Sequence, residues 1–169
     1  MSQYDNQLLI RIPDTNEIKD ALFSIDANKT PGPDGFGAGF FQFYSDRVKI
    51  DLRWCVIEFF INGKMLKQMN RTFITLIPKR SNPSETSHYG PISLCNTVYM
   101  TISKIMVNWL RPLLNNLVSP LQSAFISGRS IHENILLKHE IMHKYRKFTG
   151  KTAWVALKPD MEKAYDTID

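Results

Sequence analysis

Carboxylates crowd the end of the chain, where Asp160, Glu162 and Asp166 follow an apolar run at 153–157. A carboxylate at a strand end can hold a hard cation such as Mg²⁺, which prefers oxygen ligands. An aspartate between a strand and a helix is, however, more often a helix N-cap. Two-metal phosphoryl transfer also needs further carboxylates around ions about 3.5–4 Å apart. The residues alone therefore leave Asp160 as either a metal ligand or a helix cap.

A second constellation lies in the segment 139–143, which matches H-E-x-x-H. On a helix, His139 and His143 share a face and could bind zinc, with Glu140 as general base and Glu162 as a third ligand. No glycine-and-histidine extension of the metzincin type follows Lys144. A solvated helix face is therefore the favoured interpretation, and a zinc metallopeptidase is the alternative.

Other chemistries lack their sequence signals. No G-x-S-x-G elbow occurs, and the glycine-rich loop at 32–39 lacks the Lys-Ser/Thr of a phosphate-binding P-loop. Cys55 and Cys95 form no C-x-x-C pair, which argues against a zinc knuckle and a disulfide framework. The sequence therefore gives no support to catalysis by a serine triad or to phosphate binding by a P-loop.

Composition bounds the class of protein. The chain has 169 residues, of which 43% are hydrophobic, so it can bury the core of one ordinary domain. No apolar run approaches the roughly 20 residues that span a bilayer, and the first residues lack a secretory pattern. We expect an intracellular protein of the nucleus or cytoplasm that is neither secreted nor bound to a membrane.

Charge is segregated along the chain. The formal net charge is +5, yet residues 1–60 carry −3, residues 61–111 carry +6, residues 112–158 carry +5 and residues 159–169 carry −3. Cationic surface attracts polyanions by releasing their counterions. The basic middle therefore favours a nucleic-acid partner, although a solvated lysine face has the same composition.

Periodicity predicts a helix-rich α/β chain of α+β character. Asp14 and Glu17 form a capping box that begins a helix over 15–25, and a second helix over 40–60 is interrupted near Ser45 and ended by Gly63. Strands at 72–77 and 92–94 form a hairpin. A helix over 98–113 follows, then a helix over 131–148 that begins at an S-x-x-E capping box at Ser130, and finally a strand at 153–157.

Five segments, in order, resemble blocks of the non-LTR (LINE-type) retrotransposon reverse transcriptases, especially those of plants. They are NKTPGPDGF at 28–36, NRTFITLIPK at 70–79, PISLCN at 91–96, QSAF through GRSI at 122–131, and ALKPDMEKAYD at 156–166. The resemblance implies the fingers and first palm strand of a right-hand polymerase fold. It divides the chain into fingers with the hairpin at 14–95, a helical fingers and palm segment at 96–150, and the first palm strand at 151–169.

The resemblance also implies roles for single residues. Asp160 matches the first catalytic aspartate, which binds Mg²⁺, and Tyr165 matches the aromatic gate that excludes the ribose 2′-hydroxyl. Lys79 matches the fingers lysine that meets the nucleoside triphosphate, and Arg129 falls in a segment near the template. The implied partners are an RNA template, a DNA primer and deoxynucleoside triphosphates. The charge pattern adds three nucleic-acid-binding candidates, which are Arg71, Arg80 and Lys104.

Three departures from the family pattern bear on activity. Gly90 stands where arginine usually precedes Pro-Ile-Ser, and Pro159 replaces an apolar strand residue beside Asp160. The sequence contains no Tyr/Phe-Ala-Asp-Asp motif to supply the other metal-binding aspartates. One carboxylate cannot replace a two-metal cage, so we expect an amino-terminal fragment of a nucleotidyltransferase that is inactive alone. A residual non-catalytic nucleic-acid-binding module is the alternative, and a fragment that barely folds, with strand 153–157 unpaired, is a third.

Overall fold

A computed structural model describes residues 2–148 together with residues 155, 157 and 159. Helices dominate this part of the chain, and the two strands form one antiparallel sheet. The helices are α1 Gln3–Ile10, α2 Thr15–Phe23, α3 Ala38–Phe43, α4 Ser45–Asn62, α5 Thr97–Leu110, α6 Leu114–Leu117 and α7 Ile131–Lys147, and the strands are β1 Thr72–Pro78 and β2 Tyr89–Cys95. The predicted helix-rich α+β class is confirmed.

The chain separates into two compact units, Met1–Ser119 and Pro120–Asp169. The first unit contains α1 to α6 and the hairpin, and the second contains α7. The functional division at 95 and 150 remains a prediction. Across the described residues, no helix combines the length and apolar character needed to cross a bilayer.

Helices α2, α4 and α5 form the helical body of the first unit. Their apolar positions recur at helical spacing, so each helix turns one stripe toward its neighbours. The buried cluster consists of Ile18, Ala21 and Leu22 from α2, Leu52 and Val56 from α4, and Val98, Ile102, Ile105 and Trp109 from α5. Burial of these side chains accounts for the stability of this body, at about 1.5–3 kcal/mol for each large aliphatic group.

The ends of α2 and α4 follow the sequence signals. Asp14 accepts a hydrogen bond from the Glu17 amide at 2.9 Å, and Glu17 accepts one from the Asp14 amide at 3.0 Å, so the predicted capping box is confirmed. Tyr44 interrupts the long helical run between α3 and α4, close to the predicted position. Gly63 ends α4 with φ of +64°, in the left-handed region that favours glycine.

The hairpin is in register from the pair Thr72 and Cys95 to the pair Pro78 and Tyr89. Strand β2 is longer than the predicted 92–94 because the pairing continues on both sides of Pro91. Every residue of β1 is exposed, including four large apolar side chains. A two-stranded sheet that buries no face gains little stability from packing, so contacts at its base must hold it in place.

Helices α1, α6 and α7 differ from what the sequence predicted. The prediction missed α1 and α6, which carry no buried residues. The complete capping box predicted for α7 is wrong, because the Ser130 hydroxyl accepts from the His132 amide at 3.2 Å and no reciprocal bond from Glu133 is formed. Helix α7 buries none of its residues. The predicted strand at 153–157, with Gly150 before it, falls largely outside the described residues.

Candidate nucleic-acid and nucleotide interface

Basic residues flank the exposed hairpin. Lys79 directly follows β1, and its amide donates to the His88 carbonyl at 2.8 Å, which carries the pairing one residue beyond Pro78. Arg80 comes next, and Arg71 precedes β1 at the opposite end. All three cationic side chains are exposed. The hairpin thus presents positive charge at both ends of its first strand.

Lys79 lies over the position where the family pattern has an arginine. A Cβ atom added at Gly90 would lie 3.3 Å from the Lys79 Cε atom, so the lysine stem passes across the bare glycine backbone. Any side chain at position 90 would displace that stem or be displaced by it. Gly90, which departs from the family pattern, and Lys79, the predicted triphosphate-binding residue, are therefore in contact with each other.

A groove of about 550 Å³ runs between the end of α2 and the exposed side of α5. Lys104 is half-buried in its wall, and Lys29 and Tyr99 also line it. Asp26 supplies the acidic side chain of the groove, and its carboxylate accepts from the Asn28 amide at 2.9 Å. Two lysines beside an accessible aromatic ring are the combination that binds single-stranded nucleic acid through phosphates and stacked bases.

Arg129 belongs to the second unit, where it closes the loop before α7. Its guanidinium donates to the Gln122 carbonyl at 2.6 Å, and Gly128 adopts φ of +82° just before it. The Asn134 side chain donates to the Ser123 hydroxyl at 2.7 Å. Residues from the 122–131 block and from α7 are thereby joined, and part of the Arg129 donor capacity is used within this loop.

The predicted catalytic residues are not among those that the structure describes. Asp160 and Tyr165 lie outside the described residues, as do Glu162 and Asp166. Within the described residues, no group of three or more histidine, cysteine, aspartate or glutamate side chains could hold a metal ion. The described part of the chain therefore does not by itself fit a metal centre, and the roles of Asp160 and Tyr165 remain predictions.

The H-E-x-x-H segment lies on the exposed surface of α7. His139, Glu140 and His143 are all exposed, and the suggested third ligand, Glu162, is outside the described residues. Two exposed histidines on one helix do not make a closed zinc site, which takes four ligands, or three protein ligands and a water. The segment thus gives the peptidase alternative no support beyond its spacing.

An ion pair fixes the start of α2 against α5. Arg11 donates through both terminal nitrogens to Glu17, and its guanidinium stacks over the Trp109 ring at 4.7 Å from the centroid. The Trp109 indole also donates to Glu17 at 3.0 Å. Partial burial raises the pKa of Glu17, but the hydrogen bonds from Arg11, the Asp14 amide and Trp109 outweigh it and lower that pKa overall.

Sequence reasoning missed Lys29, Tyr99 and Asn96. Lys29 lies in the block at 28–36 and Tyr99 lies outside all five blocks, and only the packing of α2 on α5 brings them to one groove. Asn96 directly precedes a helix, which is typical of an ordinary N-cap. The available signal was its place at the end of the PISLCN block, although nothing in the sequence shows its partners.

Comparison with known proteins identifies the class. The family described as "Reverse transcriptase (RNA-dependent DNA polymerase)" matches residues 77–169, which is more than half of the chain. The chain belongs to this family, and the predicted resemblance to reverse transcriptases is confirmed. The family acts on nucleic acid and nucleoside triphosphates and uses divalent metal ions.

A curated relative narrows the comparison. The chain is 31% identical over 154 residues to a protein of Xenopus laevis described as "Transposon TX1 uncharacterized 149 kDa protein". The match covers 91% of this chain and 12% of that protein. The chain thus spans about an eighth of the length of this relative. The predicted likeness to plant elements in particular stays a prediction.

Proposed function

We propose that the chain is the fingers and first palm strand of a retrotransposon reverse transcriptase and that it holds template nucleic acid and the incoming deoxynucleoside triphosphate. Family membership and the likeness to a transposon protein support this assignment. The observation that carries it is the exposure of the hairpin cations. Neither Lys79 nor Arg80 forms an ion pair with any other residue that the structure describes.

We assign triphosphate binding and template binding to two different surfaces. Lys79 and Arg80 on the hairpin meet the triphosphate and the nearby backbone, since an exposed ammonium and guanidinium both bind phosphate oxygens. Lys29, Tyr99 and Lys104 in the groove contact a single strand by charge and stacking. Arg71 and Arg129 add template contacts. The same proposal includes Asp160 as the Mg²⁺ ligand and Tyr165 as the aromatic gate for the sugar. It also includes a nuclear or cytoplasmic location.

Binding of a fluorescent single-stranded RNA oligonucleotide tests the proposal by anisotropy. We expect weak affinity that falls with salt, with a log–log slope of about −0.7 for each phosphate neutralised. Lys79→Gln and Lys104→Gln each remove one cation from the proposed surfaces and should weaken binding and flatten the slope. Lys49→Gln is the matched control, because Lys49 lies on α4 and pairs with Asp46 at 3.4 Å.

The binding assay can contradict the proposal, and primer extension tests the expected inactivity of the chain alone. Equal losses of affinity for all three variants would mean that net charge alone determines binding, and this would contradict the proposal. Salt-insensitive binding or no binding at low salt would also contradict it. Primer extension by the 169-residue chain assayed alone is expected to give no product, and Mg²⁺-dependent synthesis lost in Asp160→Ala would overturn that expectation. Binding without synthesis is also what a non-catalytic nucleic-acid-binding module would give.

A further inference from the structure

The Asn96 side chain joins three segments that are far apart in sequence. Its Oδ1 atom accepts from the Asp34 amide at 3.1 Å, and its Nδ2 atom donates to the carbonyls of Gln68 at 3.0 Å and Met69 at 3.1 Å. Asn96 is 1% exposed, so these bonds form out of water. A buried amide with its donors and acceptor all satisfied favours one arrangement of its neighbours.

The position of Asn96 would ordinarily give it another task. It is the N-cap residue of α5, yet its side chain makes no capping hydrogen bond. The next residue behaves in the same way, because the Thr97 hydroxyl donates to the Phe36 carbonyl at 2.9 Å. Both residues at the start of α5 thus use their side chains to hold other segments and not to cap the helix.

Close packing around Asn96 adds a second constraint. A Cβ atom at Gly32 would lie 2.4 Å from the Asn96 Oδ1 atom and 2.5 Å from its backbone nitrogen. Real Cβ contacts are essentially never this short, so a side chain at position 32 must push the loop away from Asn96. Gly32 permits the approach, and Asn96 then bonds to the loop.

We propose that Asn96 is a positioning residue that fixes the hairpin on the helical body and, through the hairpin, places Lys79. Gln68 and Met69 lie just before β1, and Asn96 directly follows β2, so one side chain ties both ends of the hairpin together. Strand β1 is exposed throughout and β2 is half-buried only towards its two ends, so the strands supply little packing that could do this instead. The placement of Lys79 rests on the proposed function, whereas the anchoring of the hairpin does not.

Distance measurement between spin labels tests the anchoring. Labels at Thr75 on β1 and Arg47 on α4, in a chain with Cys55 and Cys95 replaced by serine, report the hairpin against the body. Asn96→Asp keeps the shape but replaces both donors with an acceptor facing two carbonyls. We expect the width of the distance distribution to at least double while the helical circular dichroism persists. Asn70→Asp, the same change at an exposed site, should leave it unchanged.

A second variant guards against a folding artefact. Gly32→Ala keeps Asn96 and adds no charge, and it should broaden the distribution as Asn96→Asp does. An unchanged distribution in either folded variant would overturn the proposal. If both variants lose their helical signal, Asn96 holds the whole body and not the hairpin alone, and the proposal is equally wrong.

Coupling between substitutions tests the placement of Lys79. An exposed cation contributes modestly, so Lys79→Gln should weaken RNA binding about threefold in the native background. In the Asn96→Asp background it should have no measurable effect, while Lys104→Gln on α5 costs the same in both. Equal Lys79→Gln losses in both backgrounds would contradict the placement. No Lys79→Gln loss in the native background would contradict the proposed function instead, and the spin-label result would still decide the anchoring.

Discussion

The helical body and the hairpin use the same residue types for opposite purposes. Ile102 on α5 is 1% exposed, whereas Ile74 on β1 is 68% exposed. The first contributes its burial to stability, and the second contributes almost none in this arrangement. The body is therefore the stable frame of the first unit, and the hairpin is a surface that the frame presents.

The two regions also differ in how polar groups are used. In the body, Glu17 collects bonds from Arg11 and Trp109 to join two helices. In the hairpin, backbone pairing links the strands, and Asn96 supplies the anchorage. Losses in the body should therefore appear as lost stability, and losses in the hairpin as lost binding or altered position.

The largest expected effect comes from shortening each of the two isoleucines, Ile102 in the body and Ile74 in the hairpin, to alanine. We expect Ile102→Ala to lower the free energy of unfolding by about 2–5 kcal/mol, because it leaves a cavity among α2, α4 and α5. Ile74→Ala is the matched control and should cost less than about 1 kcal/mol. Urea titration followed by circular dichroism measures both, and equal losses would mean that the hairpin is part of the core.

The ion pair of the body should give a pH signature. Glu17→Gln removes the carboxylate that Arg11 and Trp109 bond, so we expect a loss of about 1.5 kcal/mol at pH 7. Because the pKa of Glu17 is lowered on folding, its stabilisation is present above the ordinary value of 4.5 and is lost as the pH falls through the folded value.

Unfolding measured from pH 7 down to pH 3 should show the native and Glu17→Gln proteins converging in acid. A constant difference over that range would assign the effect to packing. Glu58→Gln is the control, because Glu58 is exposed on α4 and its only described partner is Asn62, four residues along the same helix.

Substitution of two glycines, one in the body and one in the hairpin, tests the same comparison with a smaller expected change in stability. Gly63→Ala in the body forces a Cβ into φ of +64° and should cost about 1 kcal/mol, although no atom lies within 4 Å to clash. Gly90→Ala in the hairpin meets only the flexible end of Lys79, so its cost should stay within about 0.5 kcal/mol. Thermal unfolding compares them, and the reverse order would contradict this account.

The smallest effect concerns the cysteine of α4. Burial raises the pKa of the Cys55 thiol, and the Asp51 carboxylate raises it further. At pH 8 the thiolate fraction is reduced, so we expect iodoacetamide to modify Cys55 several-fold more slowly than free cysteine. Mass spectrometry of the peptide follows the rate, which should recover as the pH approaches 10. Modification at the rate of free cysteine would refute the burial of this thiol.

Local signals predicted much of the frame. The capping pair Asp14 and Glu17, the break near Ser45 and the glycine at 63 set helix ends through contacts within four residues. The alternation of strand and turn residues predicted the hairpin. Helix α1 escaped detection because its apolar residues at 8–10 are consecutive and form no stripe at helical spacing, and none of its residues is fully buried.

The candidate interface was less accessible to such reasoning. Lys79 and Lys104 could be selected from a motif and a charge count, but the groove that joins Lys104 to Lys29 depends on how α2 packs on α5. The bonds of Asn96 span 27 to 62 residues of sequence, a separation over which periodicity carries no information. Asp160 was chosen by motif match alone, and its surroundings lie beyond the described residues.

The contact at Gly32 has a consequence for reading the PGPDG segment. A Cβ atom at position 32 would collide with the side chain and the backbone of Asn96, so the space there requires glycine whether or not the chain catalyses anything. The glycine at position 32 therefore reports a packing requirement and is not by itself a sign of polymerase chemistry.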